Sequence, residues 1–343
     1  MATPPADCRI RQAFTLGDEF SQAFIACIPT KRLFIKDSEY HDVWHTWAGL
    51  PNDTFANCVG KYIKSRSGRT CTRVNKYADE LCSTNIGYFM TAKHDHIKWS
   101  LFQLMRESGY AAQCEPTGLF RPFAQNNPEA QASQNTIRKR EIIQPDFLIG
   151  ESTQYLGDVK TLSYTHSNYR DRNRTTRGKA VNSRAARVHN DMHRTAKLAD
   201  RKWNNTQVSE TGAIEARLKQ FGAIKGFVFG YRYLGEASND VREEIKKMAL
   251  SGAQNLWRGM GLSSEEEAHS VLQHRYTKIM GIAAVRAIAR MRFRVWGHAF
   301  DNGRVARCLT TRENDRIHLR ALQACWDSFR PSRQGTYCTV RTR

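Results

Sequence analysis

Two short apolar runs joined by a polar turn constrain the fold of this chain more than any other feature of its sequence. The runs cover residues 142–149 and 154–162, and Gly-Glu-Ser-Thr lies between them. Runs of this length between turn residues are typical of buried strands, and so short a connection favours a hairpin. The sequence therefore predicts two adjacent strands at this point.

The segments around this hairpin predict a sheet that is flanked by helices. Apolar residues at helical spacing predict a helix over residues 94–108, and a long polar helix is expected over 179–203. Residues 110–120 favour a strand or a hairpin, and residues 222–231 favour a strand because β-branched and aromatic residues lie between glycines. This order of helix, three strands, helix and strand indicates an α/β fold.

Both ends of the chain predict mostly helical regions. The expected helices there cover residues 37–47, 53–64, 240–258, 264–296 and 313–329. Ser264 and Glu267 fit a capping box at the start of the fourth of these helices, and the N-terminal region shows no strong strand signal. We therefore expect three parts, which are a helical region (1–93), an α/β core (94–233) and a basic helical region (234–343).

Three residues of the predicted hairpin carry the chemistry. Asp146 follows Pro145 at the start of the first run, and Asp158 and Lys160 lie in the second. Residues two apart on a strand point to the same face, and Asp146 can reach that face if the two runs pair. Two converging carboxylates form an oxygen-rich site for Mg²⁺ or Mn²⁺, and a nearby lysine can orient a water and offset phosphate charge. The three residues therefore predict metal-dependent hydrolysis of a phosphodiester.

Pro-Asp at 145–146, followed by Asp158-x-Lys160 with helices around them, resembles the pattern of the PD-(D/E)xK nuclease superfamily. The resemblance covers most of the predicted core and extends to domains encoded beside transposable elements and viruses. It implies a restriction-endonuclease-like mixed sheet flanked by helices, with Asp146, Asp158 and Lys160 as catalytic residues acting on DNA. It also implies that Asp146 and Asp158 bind Mg²⁺ or Mn²⁺ with help from the carbonyl of Val159.

One part of the superfamily's site is not evident in this chain. Many members add an acidic residue from the first helix, and no such Glu stands out. His94 shares the apolar stripe of Ile97 and Leu101, so it could face the sheet and bind metal, as a histidine does in RecB-type members. Glu107 and Glu115 are the acidic candidates, and a purely structural role is open for them and for His94. The number of metal ions is therefore left open.

The balance of charge favours a polyanionic partner. The chain has 53 Lys and Arg against 33 Asp and Glu, which gives a formal net charge of +20. Most of the excess falls within residues 161–205 and 271–307, and such clustering is typical of a surface that binds nucleic acid or an acidic membrane. Nucleic acid, most simply DNA, is the partner that also agrees with the predicted chemistry.

Basic side chains in these two windows are candidates for contact with backbone phosphates, which gives affinity without sequence preference. They are Arg177, Lys179, Arg184, Arg187, Arg194, Arg290 and Arg294. His189 and His193 could join them. Tyr164, Tyr169 and Trp203 could stack on unpaired bases, although packing at the ends of loops explains them equally well.

Two zinc sites are weaker alternatives. His41 and His45 have the spacing of a zinc-binding helix, but Asp42 stands where zincins carry Glu, and no third ligand is evident. The second candidate consists of three cysteines and one histidine, which are Cys58, Cys71, Cys82 and either His94 or His96. The spacing of this second set matches no common zinc finger.

Residues 275–296 predict a basic amphipathic helix with two interpretations. The helix could lie on anionic lipid, or it could pack its apolar side and offer arginines to nucleic acid. We prefer the second because the other features already indicate phosphate. A catalytically inactive protein that binds or packages nucleic acid on the same scaffold is the main alternative to an enzyme.

The cysteines and the start of the chain predict an intracellular protein. The nine cysteines are odd in number and include no CxxC pair, which favours reduced thiols. The first residues lack the apolar stretch of a secretory signal, and no apolar run approaches the length of a membrane span. A homodimer and, in a eukaryote, a nuclear location are compatible with these features.

Overall fold

The computed structural model describes a large part of the 343-residue chain. The described residues are 19–26, 30, 33–64, 71–84, 86, 89–124, 143–162, 179–230 and 236–300. Internal contacts divide the chain into two units, Met1–Val295 and Trp296–Arg343, and every described strand belongs to the first unit. None of the described helices is long and apolar enough to span a bilayer.

A five-stranded mixed sheet organises the larger unit. The described strands are β1 (Tyr62–Lys64), β2 (Cys71–Arg73), β3 (Ala112–Cys114), β4 (Phe147–Ile149), β5 (Tyr155–Leu162), β6 (Ile224–Gly230) and β7 (Glu236–Ala237). β1 and β2 form a separate antiparallel hairpin, and the larger sheet has the order β3-β4-β5-β6-β7. β5 and β6 are parallel, and the other neighbours in that sheet are antiparallel.

The described helices confirm the predicted α/β class. They are α1 (Asp37–Ala48), α2 (Glu80–Ser83), α3 (Phe89–Glu107), α4 (Lys179–Asn204), α5 (Ala213–Lys219), α6 (Asn239–Leu256) and α7 (Glu265–Phe300). The order α3, β3, β4, β5, α4 and β6 is the predicted order of helix, three strands, helix and strand. The expected helix over residues 313–329 lies outside the described residues.

The predicted hairpin of β4 and β5 is confirmed, and its register decides where the site lies. β4 pairs only with the start of β5, where Phe147 lies opposite Gly157. On its other side, β5 pairs with β6 from Leu156 to Leu162, and Asp158 lies opposite Gly226. Parallel strands need a crossover connection, which α4 and α5 supply. The second half of β5 therefore extends past Phe147, the residue at which β4 begins.

Helices cover both faces of the larger sheet. Val159 of β5 lies in a buried core with Ile97 of α3 and with residues of α6 and α7. Leu156 of β5 lies in a second core with Val188 of α4. Because side chains alternate along a strand, Asp158 shares the face of Leu156, which α4 covers.

The three expected parts of the chain contribute to one buried core. This core contains Phe20, Ile97 and Tyr276, which come from the N-terminal region, the α/β core and the C-terminal region. The expected boundaries at residues 93 and 233 stay predictions.

The predicted helix over residues 53–64 is wrong. Asp53–Cys58 form a 3₁₀ helix, and β1 begins at Tyr62 and pairs with β2. Gly60 between them has a φ of 82°, a left-handed conformation that interrupts a helix. The N-terminal region is therefore not purely helical.

Four other features differ from the sequence prediction. β3 is shorter than expected because Glu115, which follows it, has a φ of 47°. The sequence does not predict α5 or β7, which are short. The capping box of α7 is present in part: the hydroxyl of Ser264 accepts a hydrogen bond of 3.2 Å from the amide of Glu267, but the Glu267 carboxylate accepts from Ser263.

Candidate active site

The structure brings Asp146, Asp158 and Lys160 together where β4 begins beside β5. Asp146 directly precedes β4, and its Oδ2 accepts a hydrogen bond of 2.7 Å from the amide of Val159. This amide is available because the described part of β4 pairs only with earlier residues of β5. The bond places the Asp146 carboxylate next to the segment that carries Asp158 and Lys160.

Asp158 and Lys160 project from the same face of β5, as their spacing predicts. The Nζ of Lys160 forms an ion pair with Oδ2 of Asp158. Burial raises the pKa of Asp158 to about 6, and although the ammonium of Lys160 opposes this shift, the carboxylate of Asp146 adds to it. Asp158 is therefore a buried carboxylate whose ionisation is costly near neutral pH unless a further cation joins it.

Asp146 has the opposite electrostatic environment. Burial raises its pKa, but the hydrogen bond and charge of His94, the amide of Val159 and the charge of Lys98 outweigh burial, so the pKa lies below its ordinary value. Neighbouring carboxylates whose pKa values are pushed apart in this way are frequent at catalytic and metal sites.

His94 is hydrogen-bonded to Asp146 in this structure. Its Nε2 lies 3.1 Å from Oδ2 of Asp146, and its Nδ1 lies 3.1 Å from Oδ1 of Asp95. Burial lowers the pKa of His94, but the hydrogen bonds to Asp146 and Asp95 outweigh it and raise the pKa to about 9. His94 would have to release Asp146 to bind a metal, so its role as a ligand stays a prediction.

Lys98 is a part of this site that the sequence reasoning missed. Its side chain is only 3% exposed, and its Nζ lies 2.7 Å from Oε1 of Glu115, 2.9 Å from Oδ1 of Asp95 and 3.9 Å from Oδ1 of Asp146. Glu115, which was one candidate ligand, therefore holds Lys98. The available signal was the spacing of four from His94, which places both on one face of α3.

Glu115 also contacts Asp146 through the backbone. Its amide donates a hydrogen bond of 2.7 Å to the carbonyl of Asp146, and its φ of 47° is unusual for a residue other than glycine. Such backbone conformations cluster at functional sites. Glu107, the other acidic candidate, lies at the far end of α3 from His94.

The donor set suits a cation that takes few protein ligands. Among the described residues, no group of three or more His, Cys, Asp and Glu side chains could hold a metal ion. Mg²⁺, however, is usually bound by one or two carboxylates and keeps several waters. The amide and carbonyl of a strand residue point to the same side, so the carbonyl of Val159 faces the same edge as Asp146. Two carboxylates and one carbonyl therefore lie together, and Oδ2 of Asp146 and of Asp158 already contact His94 and Lys160.

α4 packs closely against the face of β5 that carries Asp158 and Lys160. Gly226 lies opposite Asp158, and a Cβ at this glycine would lie 2.7 Å from Cα of Ala185 in α4. Only glycine allows this approach. The lack of a side chain at position 226 therefore allows α4 to pack close to the site.

α4 also carries several basic residues. Arg187 and Arg194 are exposed. Arg184 is half-buried and donates to Oδ2 of Asp191 at 2.7 Å, while Arg194 donates to Oδ1 of the same carboxylate at 3.1 Å. The hydrogen bond from Arg184 lowers the pKa of Asp191, and the charge of Lys160 adds to this shift. Asp191 on α4 therefore lies near enough to Lys160 to sense its charge.

The remaining predicted phosphate contacts lie on α7 or outside the described residues. Arg290 donates from Nε to Oε1 of Glu39 at 3.0 Å, and its side chain is about one-third exposed. Arg294 is half-buried on the same helix. Arg177 and the side chain of Lys179 lie outside the part of the chain that is described.

Among the described residues, the structure does not assemble the cysteine zinc site or a lipid-facing helix surface. Cys58 and Cys82 are buried, Cys71 is exposed, and they form no group with a histidine that could hold a metal among the described residues. None of residues 276–295 of α7 is exposed, so this stretch offers little apolar surface to lipid.

The candidates near α4 that the structure describes, Trp203, His189 and His193, do not form a stacking platform. Trp203 is buried in the second core, which favours packing. The rings of His189 and His193 face each other with centroids 4.4 Å apart. Tyr164 and Tyr169 lie outside the described residues.

No protein-family model matches this sequence, and no curated protein and no solved structure is significantly similar to the chain. The structure shows a mixed α/β fold with a five-stranded sheet. The restriction-endonuclease-like fold and membership of the nuclease superfamily stay predictions from the sequence.

Proposed function

We propose that this chain is a metal-dependent nuclease that hydrolyses phosphodiester bonds of DNA, with Asp146, Asp158 and Lys160 as its catalytic residues. The observation that carries the proposal is the hydrogen bond from Val159 to Asp146, because it joins two carboxylates and a lysine ammonium at one place. The reaction needs a cation on the scissile phosphate, a positioned water and positive charge for the transition state.

The residues of the site have distinct tasks in this proposal. Asp146, Asp158 and the carbonyl of Val159 would hold Mg²⁺ or Mn²⁺, which activates a bound water and offsets phosphate charge. Lys160 is about one-third exposed and touches Asp158, so its ammonium can orient the attacking water. His94 and Lys98 hold the Asp146 carboxylate and favour its charged form.

The basic face of α4 would bind the DNA backbone. Arg187 and Arg194 are exposed on α4, and Arg184 pairs with Asp191, whose pKa the charge of Lys160 also lowers. Contacts of this kind position a duplex or a single strand without reading its sequence. A homodimer, a nuclear location and a role in mobile-element or viral replication stay predictions from the sequence.

The test is cleavage of linear, circular and single-stranded DNA with Mg²⁺, Mn²⁺ or EDTA. Asp158→Ala and Lys160→Ala are compared with the wild type and with Lys246→Ala, an exposed lysine of α6. We expect cleavage that needs metal, persists in Lys246→Ala and disappears in both site variants while DNA binding is retained. Cleavage of the circular substrate would identify endonuclease action.

The competing function is a binding protein without catalysis. The absence of a group of three metal-binding side chains among the described residues is the observation that favours it. If the wild type binds DNA and cuts none of the substrates with either metal, the enzyme proposal is wrong. The chain would then be a nucleic-acid-binding protein on a nuclease-like scaffold.

A further inference from the structure

α1 carries a pair of histidines that take no part in the candidate active site. His41 and His45 lie one helical turn apart, on the same face of the helix. Their ring centroids are 4.2 Å apart, His41 is exposed and His45 is half-buried. The two rings are therefore adjacent and reachable from solvent.

The chain after α1 folds back along this face. Gly49 has a φ of 68° and ends the helix in a left-handed conformation, which reverses the chain. As a result, the carbonyl of Pro51 lies 2.7 Å from Nδ1 of His45, and the hydroxyl of Thr54 lies 3.1 Å from Nδ1 of His41. Both rings are held from the same side by the segment that follows the helix.

The contact of His45 fixes which of its ring nitrogens is free to bind a ligand, and the contact of His41 is compatible with the same tautomer. A carbonyl only accepts, so Nδ1 of His45 carries the hydrogen, and Nε2 of the neutral ring keeps its lone pair. The Thr54 hydroxyl can accept from Nδ1 of His41 in the same way. Metal-binding histidines characteristically donate their other ring N–H to a partner of this kind, which fixes the tautomer and the ring orientation.

We infer that His41 and His45 form a two-histidine site for a transition-metal ion such as Zn²⁺, Ni²⁺, Co²⁺ or Cu²⁺, which they bind through their Nε2 atoms. Imidazole suits these ions, whereas Mg²⁺ prefers oxygen, so the inference does not depend on the proposed nuclease. Because no group of three protein ligands is present among the described residues, water completes the coordination sphere. Such an open site exchanges its metal more readily than a closed structural one.

Asp42 does not act as a third ligand. It is buried, its Oδ1 lies 3.3 Å from Nε of Arg292, and the same oxygen accepts a hydrogen bond from Asn52. The Asp42 carboxylate therefore lies on the buried side of α1 and is not on the exposed face that carries the two histidines.

α4 offers a matched control, because His189 and His193 have the same spacing. Their ring centroids are 4.4 Å apart, but Nδ1 of His189 reaches only Oδ1 of Asn190, at 3.5 Å. Lys197 and Lys219 add positive charge near His193. The carboxylate of Glu215 offsets part of this charge. Among the described residues, this second pair shows no firm Nδ1 partner, so we expect it to bind metal more weakly.

The test is calorimetric titration of Ni²⁺ into the untagged, reduced full chain, with excess Mg²⁺ present to occupy any oxygen-ligand site. We expect the tightest Ni²⁺ site to disappear in His41→Ala and in His45→Gln and to persist in His189→Ala. Thr54→Val keeps both ligands but removes the partner of His41, and it should weaken binding about 10-fold.

Circular dichroism and thermal melting show whether each variant is folded. Absence of Ni²⁺ binding in the folded wild type would overturn the inference. So would a tightest site that survives in both His41→Ala and His45→Gln, or one that disappears in His189→Ala. Each of these results leaves the nuclease proposal untouched, because the cleavage assay uses Mg²⁺ or Mn²⁺ and different residues.

Discussion

The amide of Val159 donates a hydrogen bond of 2.7 Å to Oδ2 of Asp146. This bond joins the residue that precedes β4 to the middle of β5, so it ties the register of the hairpin to the geometry of the site. A slip of one residue would turn Asp158 and Lys160 to the opposite face of the sheet. The register that pairs Phe147 with Gly157 therefore forms the strand pair and the candidate site together.

Asp158→Asn is expected to stabilise the fold and to abolish metal-dependent cleavage. The Asp158 carboxylate is buried beside Asp146, so its ionisation near neutral pH costs folding free energy. Replacing a charged functional residue of this kind should raise the free energy of unfolding by about 1 kcal/mol. Urea denaturation near neutral pH measures the change. A variant less stable than the wild type would show that the fold itself needs the carboxylate.

The pH dependence of the stability difference between Asp158→Asn and the wild type tests whether the buried charge of Asp158 causes it. The pKa of Asp158 is raised from 3.8 to about 6 in the folded protein. The folded state then binds more protons than the unfolded state between these values, so the wild type loses stability as pH rises through this window. The advantage of Asp158→Asn should be largest above the folded pKa and should vanish below the unfolded one. A difference that is constant with pH would contradict this explanation.

Lys98→Met is expected to destabilise the protein strongly. The substitution leaves the carboxylates of Asp95, Glu115 and Asp146 without their shared buried ammonium. Because Asp95 and Glu115 are more than one-third exposed, solvent offsets part of the loss, and we expect a cost of about 2 kcal/mol. Lys246→Met, at an exposed position of α6, is the control and should stay within about 0.5 kcal/mol of the wild type. Equal unfolding free energies of the two variants would show that Lys98 does not hold the network.

The strand pair and its acidic residues could be predicted because their signals are local. A short apolar run between turn residues indicates a strand, and the spacing of Asp158 and Lys160 decides that they share a face. The role of Lys98 could not be predicted in this way. Its partners Glu115 and Asp146 come from other elements, and the sequence alone does not distinguish an inward lysine of a helix from a solvated one.

Non-local pairing also explains the errors in the N-terminal region. β1 has only three residues, Tyr62–Lys64, which is too short to show an alternating pattern, and it exists because it pairs with β2. The arginines of α7 look like a solvated face in the sequence. Arg292 is nevertheless among the most buried side chains, because its acidic partner Asp42 comes from α1 at the other end of the chain.

Gly226→Ala is expected to destabilise the protein and to reduce cleavage. The added Cβ would meet Cα and the carbonyl of Ala185 at 2.7 and 2.8 Å, and backbone atoms cannot move aside cheaply. Overpacking of this kind costs about 2 kcal/mol and would push α4 away from Asp158. Gly259→Ala is the control, because its Cβ would lie at an ordinary 3.5 Å from the carbonyl of Leu256. Urea denaturation of both variants measures the difference, and equal stability would contradict the close approach of α4.

Arg187→Gln is expected to weaken DNA binding without changing stability. Arg187 is exposed on the basic face of α4, so it can contact a phosphate without supporting the fold. Loss of one phosphate contact lowers the slope of log affinity against log salt by about 1 and weakens binding to all sequences alike. Fluorescence anisotropy at several salt concentrations measures the slope. Lys246→Gln on α6 is the control, and an equal loss there would mean that only net charge matters.

Arg292 and Asp42 form a buried ion pair that joins α7 to α1. Nε of Arg292 lies 3.3 Å from Oδ1 of Asp42, and the guanidinium also donates to the hydroxyl of Thr46 at 2.7 Å and to the carbonyl of Tyr77 at 2.8 Å. Burial raises the pKa of Asp42, and the charge of Arg292 is the largest effect that opposes this shift. A structural role for this arginine is therefore predicted in place of nucleic-acid contact.

Arg292→Met should lower the free energy of unfolding by about 4 kcal/mol, because it leaves the Asp42 carboxylate buried without its cation. Asp42→Asn in the same chain removes that stranded charge and should recover a large part of the loss, so the two substitutions are not additive. Urea denaturation of the two single variants and the double variant measures the coupling. If Arg292→Met instead weakened DNA binding and left stability unchanged, the arginine would act at the surface, and the packing of α7 against α1 would have to be reconsidered.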